Sequence, residues 1–340
     1  MSQLCNQVKE WEERRHEANR YYKQGKFQEY LNFVSENLEL ARAIPDRARV
    51  GHTLNDIGLA YLGCSQPQLA LESFQQALVV AQELGKAQAE ATALSNLGST
   101  YNRLGQFSQA LDYFEQALQI FRKLQDTQGE VSTLNDVALI YTRLGEPKRA
   151  LLLQHQILAM RRLIGDFSGE AITLNGIGFA HITLGNFEQA LEFLQAALPI
   201  QRAFQNLVGE ATTLNNIASV YSDLNKPKEA LLLYSQVLLT RRAISDRSGE
   251  ATTLNNIGFT YSILANYRQA LKFYKQAVVV YQELGDCVEE VSTLLNMGSV
   301  YATTKRKKLA RSCYEQAQDL AEQIEYQPLL EKVQMFIDAL

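Results

Sequence analysis

Apolar residues recur along this chain at helical spacing, in two stripes per unit. Around residue 101 the first stripe is Leu94, Leu97, Gly98 and Tyr101, and the second is Ala110, Phe114 and Ala117. Positions three and four apart lie on one side of a helix, so each stripe predicts an amphipathic helix with a buried face. Between the stripes stands Leu104-Gly105-Gln106-Phe107, where the glycine suits the left-handed residue that ends a helix. Asn225 can adopt that conformation in its unit, and Ala265 less readily. Pro67, Pro147 and Pro227 follow the turn in alternate units, where a first-turn proline costs no hydrogen bond. Each unit is therefore expected to be a helix, a tight turn and an antiparallel helix.

The units repeat every 40 residues. Gly-Glu-Ala-x-Thr-Leu-Asn-x-Ile begins at Gly169, Gly209 and Gly249, with weaker copies at Gly129 and Ala89, and Leu54, Leu94, Leu134, Leu174, Leu214, Leu254 and Leu294 share one column. A period of this size marks a solenoid, whose units bury their apolar faces only against neighbours. A second period of 80 is visible, because residues 127–166 match 207–246 better than either matches the unit between them. Alternate units are expected to present alternate surfaces.

The pattern Leu94, Leu97, Gly98, Tyr101, Ala110, Phe114 and Ala117 resembles the tetratricopeptide repeat (TPR), with leucine in place of the usual tryptophan. The 40-residue length is similar to the repeats of kinesin light chains, of spindle-orientation scaffolds and of bacterial Rap-type peptide receptors. The resemblance implies an all-α fold, an α-solenoid of antiparallel helix pairs wound into a right-handed superhelix. Residues 1–46 are expected to form a divergent capping repeat, with Arg14, Glu17 and Tyr30 where the pattern wants apolar or small residues. Residues 47–324 form seven repeats, and residues 325–340 a capping helix that covers the last one.

By the same resemblance the first helices line a concave groove, with open columns beginning at 52, 55, 56, 59, 62 and 63. The column of 55 holds Asn55, Ser95, Asn135, Asn175, Asn215, Asn255 and Leu295, and the next holds Asp56, Asn96, Asp136, Gly176, Asn216, Asn256 and Asn296. Asparagine offers a carbonyl and two N–H donors, so a ladder of it can pair with the backbone of an extended peptide whatever its side chains. The resemblance implies peptide-binding asparagines in these columns. The alternative is that they link neighbouring helices. Arg103 and Arg143, with Leu139, Phe179, Ile182, Phe259 and Ile263, suggest a ligand with an acidic end and apolar anchors. Alternatively, the arginines pair with nearby carboxylates. Glu90, Glu130, Glu170, Glu210, Glu250 and Glu290 open first helices and Arg122, Arg162, Arg202 and Arg242 close second helices, as helix dipoles favour. Both columns are read as structural.

Composition narrows the function. Of 340 residues 46% are hydrophobic and 21% charged, which fits a packed protein, and the net charge of −4 supplies no footprint for nucleic acid. Cys5, Cys64, Cys287 and Cys313 are scattered, so neither a disulfide framework nor a zinc site is suggested. No signal peptide is visible, which favours the cytoplasm, and the uncharged stretch from Ala171 to Phe187 is too short to span a membrane. His16, His52, His155 and His181 are isolated, with no zinc-protease, hydrolase or phosphate-loop motif, so no enzyme, cofactor or metal is expected. His181 replaces the tyrosine of its column and reads as a packed core residue. The favoured reading is an interaction scaffold for a protein or peptide partner. The second is a sensor whose superhelix responds to a small signalling peptide or other ligand. The sequence leaves the oligomeric state open.

Overall fold

The repeated stripes fold as the spacing predicts. The computed structural model describes residues 2–323 and 327–340, and among the described residues all regular structure is helical. The chain divides into two compact units, Met1–Gly165 and Asp166–Leu340. The first unit contains α1 (Ser2–Lys23), α2 (Phe27–Ala43), α3 (Arg47–Gly63), α4 (Pro67–Glu83), α5 (Ala87–Arg103), α6 (Phe107–Leu124), α7 (Thr127–Arg143) and α8 (Pro147–Leu163). The second contains α9 (Phe167–Thr183), α10 (Phe187–Ala203), α11 (Leu207–Asp223), α12 (Pro227–Ala243), α13 (Arg247–Ile263), α14 (Tyr267–Leu284), α15 (Cys287–Thr303), α16 (Lys307–Gln323) and α17 (Gln327–Asp338).

Close approach within most helix pairs depends on glycine, with Ala138 and Ala218 in the same column. A β-carbon placed on Gly98 would lie 2.8 Å from the buried ring of Phe114, and one on Gly258 would lie 2.7 Å from that of Tyr274. The absent side chain lets α6 and α14 lie directly on their first helices. Each pair then leaves an apolar side for the next: Ala110 and Phe114 share a buried cluster with Val137 and Ile140, as Ala230 and Tyr234 do with Ala218 and Ile257. A pair on its own would leave these residues wet, which is why the fold needs stacking.

The tight turns are set by packing more than by residue preference. Gly105 has φ +73°, yet Ser65 (+58°), Asn225 (+58°), Ala265 (+54°) and Lys305 (+59°) occupy the same left-handed region. Ala265 therefore adopts a conformation that disfavours its β-carbon. Two terminal hydrogen bonds hold it, Ala265 N–H to Ser262 O at 2.9 Å and Asn266 N–H to Tyr261 O at 2.9 Å.

At the N-terminal end Tyr30, which replaces the alanine of the other units, is buried and meets the ring of Tyr22 edge-on at 5.2 Å. Arg14 and Glu17 lie toward the outer side of α1 without entering the core. At the other end Leu329 and Val333 of α17 are buried in a cluster with Val291, Tyr301 and Tyr314, and Phe336 and Ile337 pack beside them. The expected boundary at residues 324 and 325 lies outside the described residues.

Candidate functional site

The asparagine columns do not stand as independent posts; they bond to one another across repeats. Asn96 donates from Nδ2 to Oδ1 of Asn55 at 2.7 Å, Asn216 to Asn175 at 3.2 Å, Asn256 to Asn215 at 3.4 Å and Asn296 to Asn255 at 3.4 Å. Every pair is 41 residues apart, so the second column of one repeat reaches the first column of the repeat before it. Arg15 and Asp56 make the same connection as an ion pair at 2.8 Å. Burial works against both charges, and for the Arg15 guanidinium the Asp56 partner outweighs it, while the Asp56 carboxyl stays above its ordinary pKa.

This bonding sorts the asparagines. Asn55, Asn175 and Asn255 accept through oxygen and keep their NH2 groups without a partner among the described residues. Asn135 turns its NH2 back to the Val131 carbonyl of its own helix at 2.9 Å. Asn215 is buried, and its oxygen accepts from both Asn256 and the Thr253 hydroxyl. Asn96, Asn216, Asn256 and Asn296 spend a donor on the stack and are half-buried.

In two of the columns that the resemblance implies are open, some members turn toward neighbouring helices. Asp56 in one, and Leu62, Asn102 and Ser222 in the other, are buried. The Ser222 hydroxyl meets that of Thr260 at 2.8 Å in the next repeat, and Asn102 receives Arg143. The columns of 52, 59 and 63 are more open: Ile172, Leu139, Phe179, Phe259 and Ile263 are all exposed, while Ile182, in the column of 62, is half-buried. Phe179 and Phe259 lie four residues beyond Asn175 and Asn255, hence one turn away on the same face of α9 and α13.

Arg103 and Arg143 are exposed on α5 and α7 and form no ion pair with a carboxylate among the described residues. Arg103 instead donates to the Leu62 carbonyl at 3.3 Å, and Arg143 to the Asn102 side-chain oxygen at 3.1 Å. Each guanidinium thus leans on the carbonyl end of the preceding first helix, where a cation is favoured, and retains donors for a ligand. Asp223, in the same column on α11, is pushed above the usual carboxylate pKa by burial.

The other two charge columns prove to be partners. Arg122 meets Glu130, Arg202 meets Glu210 and Arg242 meets Glu250, each at 2.7 Å across the turn between repeats. Gln82 and Gln282 make the same link to Glu90 and Glu290. The columns are structural as read, but through direct pairing as well as helix dipoles. His181 is buried, its ring stacked on Phe193 with centroids 5.5 Å apart.

The alternate-unit period has a surface consequence on the second helices. Leu152 and Leu232 are 71% and 75% exposed in α8 and α12, where the corresponding positions of other units carry Glu72, Asp112, Glu192 and Lys272. Among the described residues no cluster of His, Cys, Asp or Glu is placed to hold a metal ion, and no helix is long and apolar enough to cross a membrane.

Similarity to known proteins follows this geometry. No curated protein matches the chain in sequence. Among solved structures, the apo quorum sensor NprR from B. thuringiensis is similar with TM-score 0.72 at 17% identity, over 90% of this chain and 86% of that one. Apo RapI is similar with TM-score 0.69 at 15% identity, over 81% and 98%. A Rap protein complexed with Competence and Sporulation Factor is similar with TM-score 0.60 at 15% identity, over 96% and 99%. At these identities the likeness shows the fold. The tetratricopeptide repeat model matches residues 89–163, 169–243 and 249–323, well over half of the sequence, and the chain belongs to the tetratricopeptide repeat family.

Proposed function

We propose that the first-helix faces hold an extended segment of a protein partner, and that the chain works as a non-enzymatic interaction scaffold. Asn175 and Asn255 carry this reading. Each is fixed by a hydrogen bond from the next repeat to its oxygen, and each leaves an NH2 group unpartnered one turn from an exposed phenylalanine. A side chain already held in place loses little freedom on binding, and its N–H donors suit the carbonyls of an extended main chain. Phe179 and Phe259 supply apolar contact for side chains of the segment. Asn55 can act in the same way on the first unit, where Arg103 and Arg143 add a preference for acidic residues. Asn96, Asn216 and Asn296 then serve to hold the ligand-facing amides, while Asn256 bonds Asn215 and Asn135 bonds its own helix.

A second reading, a sensor of a small peptide, draws on the likeness to the quorum sensor NprR over most of both chains. Selection of 15-residue peptides from a random display library against the whole chain tests both. The scaffold reading expects enriched peptides with alternating apolar residues and carboxylates, whose binding leaves the scattering profile unchanged. A bound peptide that alters the radius of gyration favours the sensor. Failure to enrich any peptide, or enrichment that an Asn175→Ala/Asn255→Ala variant retains in full, rejects this site.

A further inference from the structure

The repeats from α4 to α15 carry a filler position that one of them lacks, and the end units likewise hold alanine there, at Ala41 and Ala321. On the last turn of the second helices the column holds Ala81, Phe121, Arg161, Gln201, Arg241 and Tyr281. Eight residues later stand Ala89, Gly129, Gly169, Gly209, Gly249 and Glu289. Phe121, Gln201, Arg241 and Tyr281 are all buried. The reason for the motif glycine is visible in three of them: a β-carbon on Gly129 would lie 2.5 Å from the Phe121 ring, one on Gly209 would lie 2.5 Å from the Gln201 amide carbon, and one on Gly249 would lie 2.7 Å from the Arg241 guanidinium carbon. Arg241 fills its space by donating to the Gly249 carbonyl and to the Thr253 hydroxyl at 3.0 Å.

Where α4 meets α5 that filler is missing. Ala81 has no side chain to insert, Ala89 has no need to be glycine, and Ala93 replaces the threonine found at 53, 133, 173, 213, 253 and 293. The result is a cavity of about 670 Å³, floored by Gly51, Ala77, Val80, Ala81 and Ala93. Its volume lies within the range of sites that enclose small organic ligands. Arg15, His52, Asn55, Lys86, Gln88 and Thr92 are its polar lining, and no carboxylate is among the groups that line it.

We infer that this cavity is a binding site for a small organic carboxylate with an aryl or branched-alkyl body, a property that goes beyond the peptide-binding reading. The apolar body takes the volume that Phe121 or Tyr281 fills in its own repeat. The carboxylate meets the cationic edge, where Arg15 spends Nε and Nη2 on Asp56 and retains further donors.

The test uses 4-phenylbutyrate and the neutral 4-phenylbutanol as probes, titrated calorimetrically into the whole chain. One molar equivalent of the acid should bind at least 10-fold more tightly than the alcohol. Ala81→Phe/Ala89→Gly, which rebuilds the Phe121–Gly129 arrangement, should lose acid binding by 20-fold or more while keeping full helicity. Should that variant fold poorly, Ala93→Thr restores the residue of the other repeats and should weaken binding several-fold, and Lys86→Glu should weaken the acid but not the alcohol. Equal binding of acid and alcohol, no binding of either, or unchanged binding by the filled and threonine variants overturns the assignment.

Discussion

The side-chain amide of Asn96 donates to the side-chain oxygen of Asn55 at 2.7 Å, joining two first helices that are 41 residues apart in sequence. The same bond recurs from Asn256 to Asn215 at 3.4 Å, where the acceptor is buried. Asparagine is a mediocre helix former, and these bonds give it a reason to recur at this spacing. Asn256→Ala should therefore lower stability by about 1 kcal/mol in urea unfolding, with the helical circular-dichroism signal unchanged. A variant as stable as the parent would mean the stack contributes nothing.

The inter-repeat clamp predicts a pH dependence. Burial raises the Glu250 pKa, but hydrogen bonds and charge from Arg242 and Arg247 outweigh it and bring the carboxyl below its ordinary value of 4.5. Stability from this group is therefore present above the unfolded value and lost as pH falls through the lower folded value. Glu250→Gln should cost about 1 kcal/mol at pH 7 and progressively less as pH falls below about 4.5. A difference that stays constant from pH 7 to pH 3 would assign the loss to something other than charge. Urea midpoints across that range provide the measurement.

The turns predict opposite signs for opposite exchanges. Ala265 and Gly105 share the left-handed conformation at φ +54° and +73°, and a β-carbon on Gly105 would meet no atom within 4 Å. Backbone strain, not space, separates them. Ala265→Gly should raise stability by about 1 kcal/mol and Gly105→Ala should lower it by about as much. Thermal midpoints that move in the same direction for both would contradict this.

Charge on the first-helix face predicts a salt effect. Arg103 and Arg143 rest on main-chain and amide oxygens rather than on carboxylates, so their charge is available to a partner. Arg103→Glu/Arg143→Glu should weaken an acidic display-selected peptide and flatten the fall of its affinity between 50 and 500 mM salt, roughly the range over which screening acts. An unaltered salt slope would place acidic recognition elsewhere.

The helix pairs were legible in the sequence because seven copies print the same columns. Leu94, Gly98 and Phe114 announce their contacts through i, i+3, i+4 spacing, and that spacing lies within one pair. Contacts between pairs were harder to read. The Asn96–Asn55 bond depends on how far one helix is offset against the next, which a column of identical letters does not record. The glycine of the Gly-Glu-Ala motif resembles a helix-start preference, yet Gly129 is small because Phe121 of the preceding helix lies on it. Leu62 and Asn102 share a column with exposed Thr142, so exposure there varies with the local partner rather than with position. Ala81 looks unremarkable until the column is known to hold fillers.

The central claim is that the amides of Asn175 and Asn255 bond the main chain of an extended ligand. Calorimetric titration of one display-selected peptide into the parent chain and into Asn175→Ala/Asn255→Ala tests it most directly. Two lost hydrogen bonds at about 1 kcal/mol each predict a roughly 30-fold weaker Kd, with helicity preserved. Equal affinity for the two proteins would contradict the claim, and binding would then belong to another surface, of which the exposed Leu152 and Leu232 on the second helices are the first to replace.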